Sequence, residues 1–260
     1  MPIINAADGT PLNVKIEGRA DGPTLMLSNS LGTDMQMWDP QVAEFAKHFR
    51  LVRYDRRGHG QSGAPVGPYT MEQLGRDVLS ILDALKIEKT NWCGLSMGGM
   101  VGQWLGAHAP ERVEKLILSN TSAYYADKRP WNDRIAFARA NGLSALVGAN
   151  MERWFTKEFR EHAPQEIERM TTIFVATPIE GYVGCCAAVR DMDFRESNPR
   201  IAVPTLVIVG AQDPATTPAV GEALHKSIKG SQIASIDGAH IANLEQPDDY
   251  TRTVLDFLRN

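Results

Sequence analysis

Cysteine is scarce in this chain, with only Cys93, Cys185 and Cys186 among 260 residues. Three cysteines cannot all pair, and two of them are adjacent, so the sequence excludes a disulfide framework and a Cys-x-x-Cys metal site. This usage favours a reducing cytoplasmic location. The six histidines include no His-Glu-x-x-His pattern, which is a common metal-binding signature. We therefore expect neither a cofactor nor a metal ion.

Excess charge of one sign and long apolar runs are also missing. Lysine and arginine number 27 against 31 aspartate and glutamate, a net charge of −4, so no broad basic field exists to hold nucleic acid. No apolar run reaches the roughly 18 residues of a membrane-spanning helix. Residues 1–10 lack the basic and apolar regions of a secretory signal. We expect neither nucleic acid nor a membrane as a partner.

Short aliphatic runs alternate with amphipathic segments along most of the chain. Predicted strands cover 24–27, 50–54 and 113–118, and apolar residues spaced by three and four predict a helix over 71–85. The same alternation resumes at Val203. Because strands buried on both faces read as continuous apolar runs, we predict an α/β fold whose mostly parallel sheet is flanked by helices.

Residues 122–200 differ in texture, because they contain helical patterns and no convincing strand. The predicted helices cover 131–140, 143–154, 164–177 and 179–190. We interpret 122–200 as a helical lid inserted into one core domain formed by 1–121 and 201–260. The segment holds nine of the 18 arginines. An arginine fork suits carboxylates, so the lid is a candidate anion-binding element; the alternative is solvated helix faces with intrahelical ion pairs.

The candidate nucleophile is Ser96, within Gly94-Leu95-Ser96-Met97-Gly98. The segment lies between a predicted strand, 90–93, and a predicted helix, 99–108, which is the context of a nucleophile elbow. Such a sharp turn strains the serine backbone, and glycine on either side avoids steric collisions. We expect the Ser96 hydroxyl to project at the carboxyl edge of the sheet.

A serine hydroxyl needs a general base, and a base needs an orienting acid. In elbow proteins the chain order is serine, then acid, then histidine. Asp213 follows the predicted strand 205–209, and His240 follows the predicted strand 232–236. Because the carboxyl ends of parallel strands share one edge of a sheet, these side chains should meet Ser96 there. The alternative for His240 is an ordinary loop histidine.

Other titratable side chains are weaker candidates for these roles. His59 lies in a glycine-rich turn, which indicates a structural role, and the remaining histidines lie near helix ends or in charged stretches. Asp237 stands too close in sequence to His240, and Asp191 and Asp193 belong to the helical segment. Asp213 remains the preferred acid.

Backbone amides that face a developing oxyanion complete a site of this kind. One normally follows the nucleophile, and the other lies in the loop after an early strand. We therefore predict an oxyanion hole formed by the amides of Met97 and Leu31. The second lies within Ser28-Asn29-Ser30-Leu31-Gly32.

Together these segments resemble the α/β-hydrolase superfamily over the whole chain. Residues 54–62, Tyr-Asp-Arg-Arg-Gly-His-Gly-Gln-Ser, are similar to its Asp-x-Arg-Gly-x-Gly-x-Ser turn, and 110–118 resemble its helix-to-strand connection. Most members carry His-Gly where this chain has Asn29-Ser30. That departure, with 93–99 and 240–245, resembles the 3-oxoadipate enol-lactonases of bacterial aromatic catabolism in the β-ketoadipate pathway.

The resemblance implies a serine hydrolase that opens a small anionic lactone through an acyl-enzyme. It implies that the lid recognises the free carboxylate of the substrate, and we expect Arg134 with Trp131, within one helical turn, to do so. Alternatives on the same fold are a carboxylesterase, a carbon-carbon bond hydrolase, a perhydrolase and a small-molecule receptor. The sequence does not indicate an oligomeric state.

Overall fold

Eight strands form a single sheet in the computed structural model, which describes residues 2–259. The strands are β1 (Ile3–Asn5), β2 (Pro11–Gly18), β3 (Thr24–Ser28), β4 (Arg50–Tyr54), β5 (Thr90–Leu95), β6 (Val113–Ser119), β7 (Thr205–Gly210) and β8 (Gln232–Ile236). Their order across the sheet is β1-β2-β4-β3-β5-β6-β7-β8. The predicted α/β architecture with a mostly parallel sheet is confirmed.

The six strands from β4 to β8 in this order are parallel, whereas β1 and β2 are antiparallel to their neighbours. The antiparallel pair was not predicted. Only residues 6–10 join β1 to β2, and so short a connection returns the chain in the opposite direction. In the parallel part, strands β3, β5, β6, β7 and β8 bring their carboxyl ends to one edge of the sheet.

Eleven α-helices lie within residues 2–259. They are α1 (Asp39–Phe45), α2 (Met71–Ala84), α3 (Met97–His108), α4 (Arg129–Asn141), α5 (Val147–Trp154), α6 (Lys157–His162), α7 (Pro164–Ala176), α8 (Ile179–Asp191), α9 (Pro218–Ser227), α10 (Ala242–Glu245) and α11 (Pro247–Arg259). In α2, the predicted apolar stripe of Leu74, Val78 and Ile81 is buried against the core. The Thr70 hydroxyl caps this helix by accepting the Gln73 amide, which satisfies a free amide of its first turn.

Residues 122–200, the predicted helical insertion, run from the end of β6 to the start of the segment that leads into β7. It contains the four predicted helices, with α5 preceded by a 3₁₀ turn at Leu143–Leu146. It also contains α6, six residues long, which was not predicted. So short a helix gives too few turns for an apolar period.

Two remaining observations concern the limits of the chain and its helices. The predicted core segments begin at Met1 and end at Asn260, and both residues lie outside the described range. Within that range no single helix has the length and apolarity to cross a membrane, and α7 with α8 meets those criteria only as a pair bent by 94°.

Candidate active site

The turn from β5 to α3 holds Ser96 in an unusual backbone conformation, with φ 56° and ψ −114°. A Cβ on Gly94 would lie 2.2 Å from the Gly98 carbonyl oxygen, and one on Gly98 would lie 2.1 Å from the Ser28 carbonyl oxygen. The Ser96 amide donates to the Ser119 carbonyl at 2.8 Å. Glycine at both flanking positions is therefore a steric requirement of this turn.

The structure brings Ser96, His240 and Asp213 into one chain of hydrogen bonds. Ser96 Oγ lies 2.8 Å from His240 Nε2, and His240 Nδ1 lies 2.8 Å from Asp213 Oδ2. Asp213 follows β7 and His240 follows β8, so strands distant in sequence supply the three groups. The exposed fractions are 8% for Ser96, 4% for His240 and 2% for Asp213. The three hydrogen-bonded side chains are therefore largely shielded from bulk water.

Asp213 is surrounded by hydrogen-bond donors. Its Oδ1 accepts the amides of Ala215 at 2.7 Å and Thr216 at 3.0 Å. Its Oδ2 accepts the Thr216 hydroxyl at 2.6 Å and Asn120 Nδ2 at 3.1 Å. Burial alone would raise the pKa of Asp213, but the charge that His240 carries when protonated, together with hydrogen bonds from His240 and Thr216, outweighs it and lowers the pKa to about 2. A carboxylate can only accept, so the His240 proton lies on Nδ1, and Nε2 is free to accept a proton.

Sequence reasoning missed Asn120, which directly follows β6 with φ 45°. Its amide nitrogen donates to Asp213 Oδ2 and to the Ala239 carbonyl, each at 3.1 Å. Its Oδ1 accepts the Ser119 hydroxyl at 2.9 Å. Asn120 thus ties the acid to the loop that carries His240. The available signal was a polar residue at the carboxyl end of a central strand.

The two predicted oxyanion amides, of Leu31 and Met97, belong to residues that border a common cavity with Ser96. Neither amide forms a hydrogen bond to another group within residues 2–259. The amide of the residue that follows each of them, in contrast, already donates a hydrogen bond. Gly32 N donates to His59 Nε2 at 2.9 Å, and Gly98 N donates to the Asn29 carbonyl at 3.0 Å. Met97 also begins α3, where the helix dipole favours negative charge.

A cavity of about 310 Å³ lies between the core and the helical insertion, and residues of both line it. Its walls include both predicted substrate-binding residues, Trp131 and Arg134, and two further residues that follow each other on α5, Arg153 and Trp154. Trp131 packs edge-on against Tyr125, with ring centroids 5.6 Å apart. Ser96 and His240 also line the cavity, and its other lining residues are mostly apolar: Leu31, Met97, Met100, Tyr125, Pro130, Val189 and Ala215, with polar Ser30 and Asp127.

Arg134 and Arg153 share one neutral partner. Arg134 donates to the Tyr182 hydroxyl at 2.6 Å and to Asn150 Oδ1, and Arg153 donates to the same Asn150 oxygen at 3.4 Å. Burial, and then the charge of Arg134, lower the pKa of Arg153. Two guanidinium groups therefore border the cavity close to each other.

Carboxylates neutralise most other arginines of the insertion, but not this pair. Within residues 2–259, no Asp or Glu oxygen forms an ion pair with Arg134 or Arg153. The arginines that do have such a partner are Arg129, Arg139, Arg160, Arg169, Arg190 and Arg195. An anion in the cavity would meet two positive groups without a competing carboxylate on either.

The weaker candidates lie in other surroundings. His59 is buried in the core, where its Nε2 accepts an amide. Asp237 is exposed and accepts a hydrogen bond from the Gln212 side chain. Asp191 and Asp193 form ion pairs with neighbouring arginines. In the described part of the chain, no three His, Cys, Asp or Glu side chains are grouped to hold a metal ion.

The chain belongs to the α/β-hydrolase fold family, whose model matches residues 23–247. Two relatives come from Acinetobacter baylyi. 3-Oxoadipate enol-lactonase 2 is 42% identical over 95% of this chain and 93% of its own length. 3-Oxoadipate enol-lactonase 1 is 39% identical over 99% of this chain and 97% of its own. The crystal structure of the enol-lactonase from Burkholderia xenovorans LB400 shares 46% identity, with a TM-score of 0.98 and full coverage of both chains.

Proposed function

We propose that this protein is a serine hydrolase that opens the lactone ring of 3-oxoadipate enol-lactone to give 3-oxoadipate. The observation that carries the proposal is the hydrogen-bonded chain of Ser96, His240 and Asp213 beside a cavity with two unneutralised arginines. The enol-lactonase relatives, at 42% and 39% identity over nearly the whole chain, support this substrate. The enzyme is then a carboxylic ester hydrolase of aromatic compound catabolism.

Acylation follows from the geometry of the three groups. Ser96 Oγ attacks the lactone carbonyl carbon as its proton passes to His240 Nε2, 2.8 Å away. Asp213 stabilises the resulting imidazolium through Nδ1. The amides of Leu31 and Met97 donate to the negative oxygen of the tetrahedral intermediate.

Collapse of the intermediate breaks the bond from the carbonyl carbon to the ring oxygen. The leaving group is an enolate, which is less basic than an alkoxide, and the proton on His240 neutralises it. The resulting enol becomes the ketone of the ring-opened acyl chain. A water molecule then gives a proton to His240 and attacks the acyl carbon, and the bond to Ser96 Oγ breaks as His240 returns that proton to Oγ and 3-oxoadipate is released. These steps use only side chains, amides and water.

The substrate carries a carboxylate remote from the reacting carbonyl. We propose that Arg134 binds it, with Trp131 as an adjoining wall, and that Arg153 contributes a second positive group. Support comes from the position of all three at the cavity and from the shared Asn150 oxygen, which orients both guanidinium groups. Charge-assisted hydrogen bonds of this kind are stronger than neutral ones.

Residues 122–200 act in this proposal as a lid over a single catalytic core, formed by 1–121 and 201–260. The lid supplies Trp131, Arg134 and Arg153, and the core supplies the reacting groups. The three cysteines are free and buried, which supports a reducing cytoplasmic compartment.

A panel of lactones and esters assayed with the purified protein tests the substrate. We expect kcat/KM for the enol-lactone to exceed that for neutral lactones and 4-nitrophenyl esters by about 100-fold or more, since only the enol-lactone meets the arginines. Equal rates across the panel would indicate a general carboxylesterase. Preference for a ring-cleavage product with a carbon-carbon bond, or for perhydrolysis, would replace the proposed reaction, and the absence of turnover would favour a receptor.

A further inference from the structure

Hydrogen bonds to a buried turn of the core hold the oxyanion loop, residues 28–32, in place. His59 Nε2 accepts the Gly32 amide at 2.9 Å. Arg56 Nη2 donates to the Asn29 carbonyl, which also accepts the Gly98 amide at 3.0 Å. His59 is 0% exposed and Arg56 is 2% exposed. The turn therefore holds both ends of the loop segment that contains Leu31.

The hydrogen bonds of neighbouring peptide groups fix the direction of the Leu31 amide. The Ser30 carbonyl and the Leu31 N–H belong to one planar trans peptide, so they point in opposite directions. The Thr33 hydroxyl donates to the Ser30 carbonyl at 3.0 Å, which turns the Leu31 N–H away from Thr33. The next peptide, from Leu31 to Gly32, is held by His59 through the Gly32 amide. Both peptide planes that flank Leu31 are thus constrained.

His59 can serve as an acceptor only while its Nε2 carries no proton. Burial, and then the charge of Arg56, lower the pKa of His59 to about 3. Its Nδ1 faces the Arg57 carbonyl at 3.4 Å and Cys185 Sγ at 3.9 Å. Burial raises the pKa of Cys185 to about 12, so that thiol carries no charge. His59 is therefore neutral, with its proton on Nδ1 and its lone pair toward Gly32.

We propose that His59 is a positioning residue that orients the Leu31 amide toward the oxyanion, an inference that rests on the proposed serine hydrolase chemistry. Loss of the acceptor would leave the Gly32 amide buried without a partner, and the loop would rotate to satisfy it. The Leu31 amide acts mainly on the negative oxygen of the tetrahedral intermediate. Loss of its orientation should therefore weaken stabilisation of the transition state. Ground-state binding should be spared.

The test compares His59→Leu, which removes the acceptor, with His59→Gln, whose side-chain oxygen can accept the Gly32 amide. Exposed His162 on α6 provides a matched control, His162→Gln. Each protein is assayed with 4-nitrophenyl butyrate, with butylboronic acid, which forms a tetrahedral adduct on Ser96, and with adipate, which binds without reaction. We expect His59→Leu to lower kcat and boronate affinity in parallel by about 10- to 100-fold, with KM and adipate affinity within about twofold.

His59→Gln should recover most of both losses, and His162→Gln should match the wild type. If His59→Leu does not fold, His59→Met carries the same expectations. Equal weakening of boronate and adipate, wild-type kinetics in His59→Leu, or a glutamine variant as defective as the leucine variant would overturn the inference. Absence of turnover by the wild type on every ester would instead overturn the proposed function.

Discussion

Asn120 and Asp213 are joined by a hydrogen bond of 3.1 Å between Asn120 Nδ2 and Asp213 Oδ2, although they follow different strands of the sheet. The second amide hydrogen of Asn120 holds the Ala239 carbonyl, one residue before His240. The same side chain thus sets the position of the acid and of the loop that carries the base.

Asn120→Ala removes both of these hydrogen bonds. We expect kcat to fall by about tenfold, because Asp213 keeps its contacts to Thr216 and Ala215 but loses its tie to the His240 loop. KM should change by less than about twofold, since Asn120 does not line the cavity. Steady-state kinetics check this, with exposed Asn141→Ala on α4 as the control. A kcat equal to that of the wild type would contradict the role of Asn120.

Gly98→Ala tests the steric requirement of the serine turn. The added Cβ would lie 2.1 Å from the Ser28 carbonyl oxygen, so the turn must shift and carry Ser96 and the Met97 amide with it. We expect kcat/KM to fall by about 100-fold or more, since small misplacements at a reacting centre are costly.

Gly148→Ala is the matched control for that substitution. Gly148 lies in α5, and nothing approaches within 4 Å of an added Cβ. We expect full activity and a slightly higher melting temperature, because alanine stabilises a helix by up to about 1 kcal/mol relative to glycine. Wild-type activity in Gly98→Ala would refute the steric argument.

Substitution of Arg134 or Arg153 should impair hydrolysis of an anionic substrate more than hydrolysis of a neutral one. Arg134→Gln and Arg153→Gln should each raise KM for the enol-lactone by about tenfold or more, as expected for loss of a charge-assisted hydrogen bond. Their kcat/KM for neutral 4-nitrophenyl butyrate should stay within about threefold of the wild type. Arg139→Gln, whose arginine pairs with Glu180 on α8, should leave the kinetics on both substrates unaffected. Equal losses on the anionic and neutral substrates would exclude a carboxylate-binding role.

The lowered pKa of His59 predicts how the free energy of unfolding depends on pH under acidic conditions. Its pKa is about 3 in the folded protein against 6.5 for an exposed histidine, owing to burial and then the charge of Arg56. Between these values the unfolded chain binds a proton that the folded protein does not. The free energy of unfolding therefore falls as pH falls from about 6.5 toward 3, with His59 contributing up to about 1.4 kcal/mol per pH unit.

His59→Gln removes this titrating group. Urea unfolding between pH 7 and pH 4 should then give a shallower fall in the free energy of unfolding than in the wild type or in His162→Gln. A slope equal to that of the wild type would show that the folded protein binds a proton at His59 as readily as the unfolded chain does, so that its pKa is not lowered.

The sequence predicted the serine turn and the order of acid and base because those signals are local or follow from strand direction. Gly94 and Gly98 mark a turn that few other residues permit, and polar residues after parallel strands share one edge. The meeting of Ser96, Asp213 and His240 follows from that rule. In the insertion, α5 and α7 bury apolar residues three or four positions apart, Met151 with Trp154 and Met170 with Phe174, which is the spacing that predicts a helix.

Asn120 and Arg153 were not predicted because their roles depend on packing between distant elements. Arg153 resembles the other insertion arginines in sequence. Its partner Asn150 lies three residues earlier on the same helix, but only the packing of α5 in the folded chain places Arg153 at the cavity beside Arg134, with no carboxylate paired to it within residues 2–259. The role of His59 likewise arises from a contact between residues 27 positions apart.

The most direct test of the central claim is hydrolysis of 3-oxoadipate enol-lactone by the purified wild type and by Ser96→Ala, followed as 3-oxoadipate formation. The account predicts rapid turnover by the wild type and a loss of roughly four orders of magnitude or more in kcat for Ser96→Ala, with the substituted protein still folded. Comparable turnover by the two proteins would contradict nucleophilic catalysis by Ser96, and an inert wild type would contradict the proposed substrate.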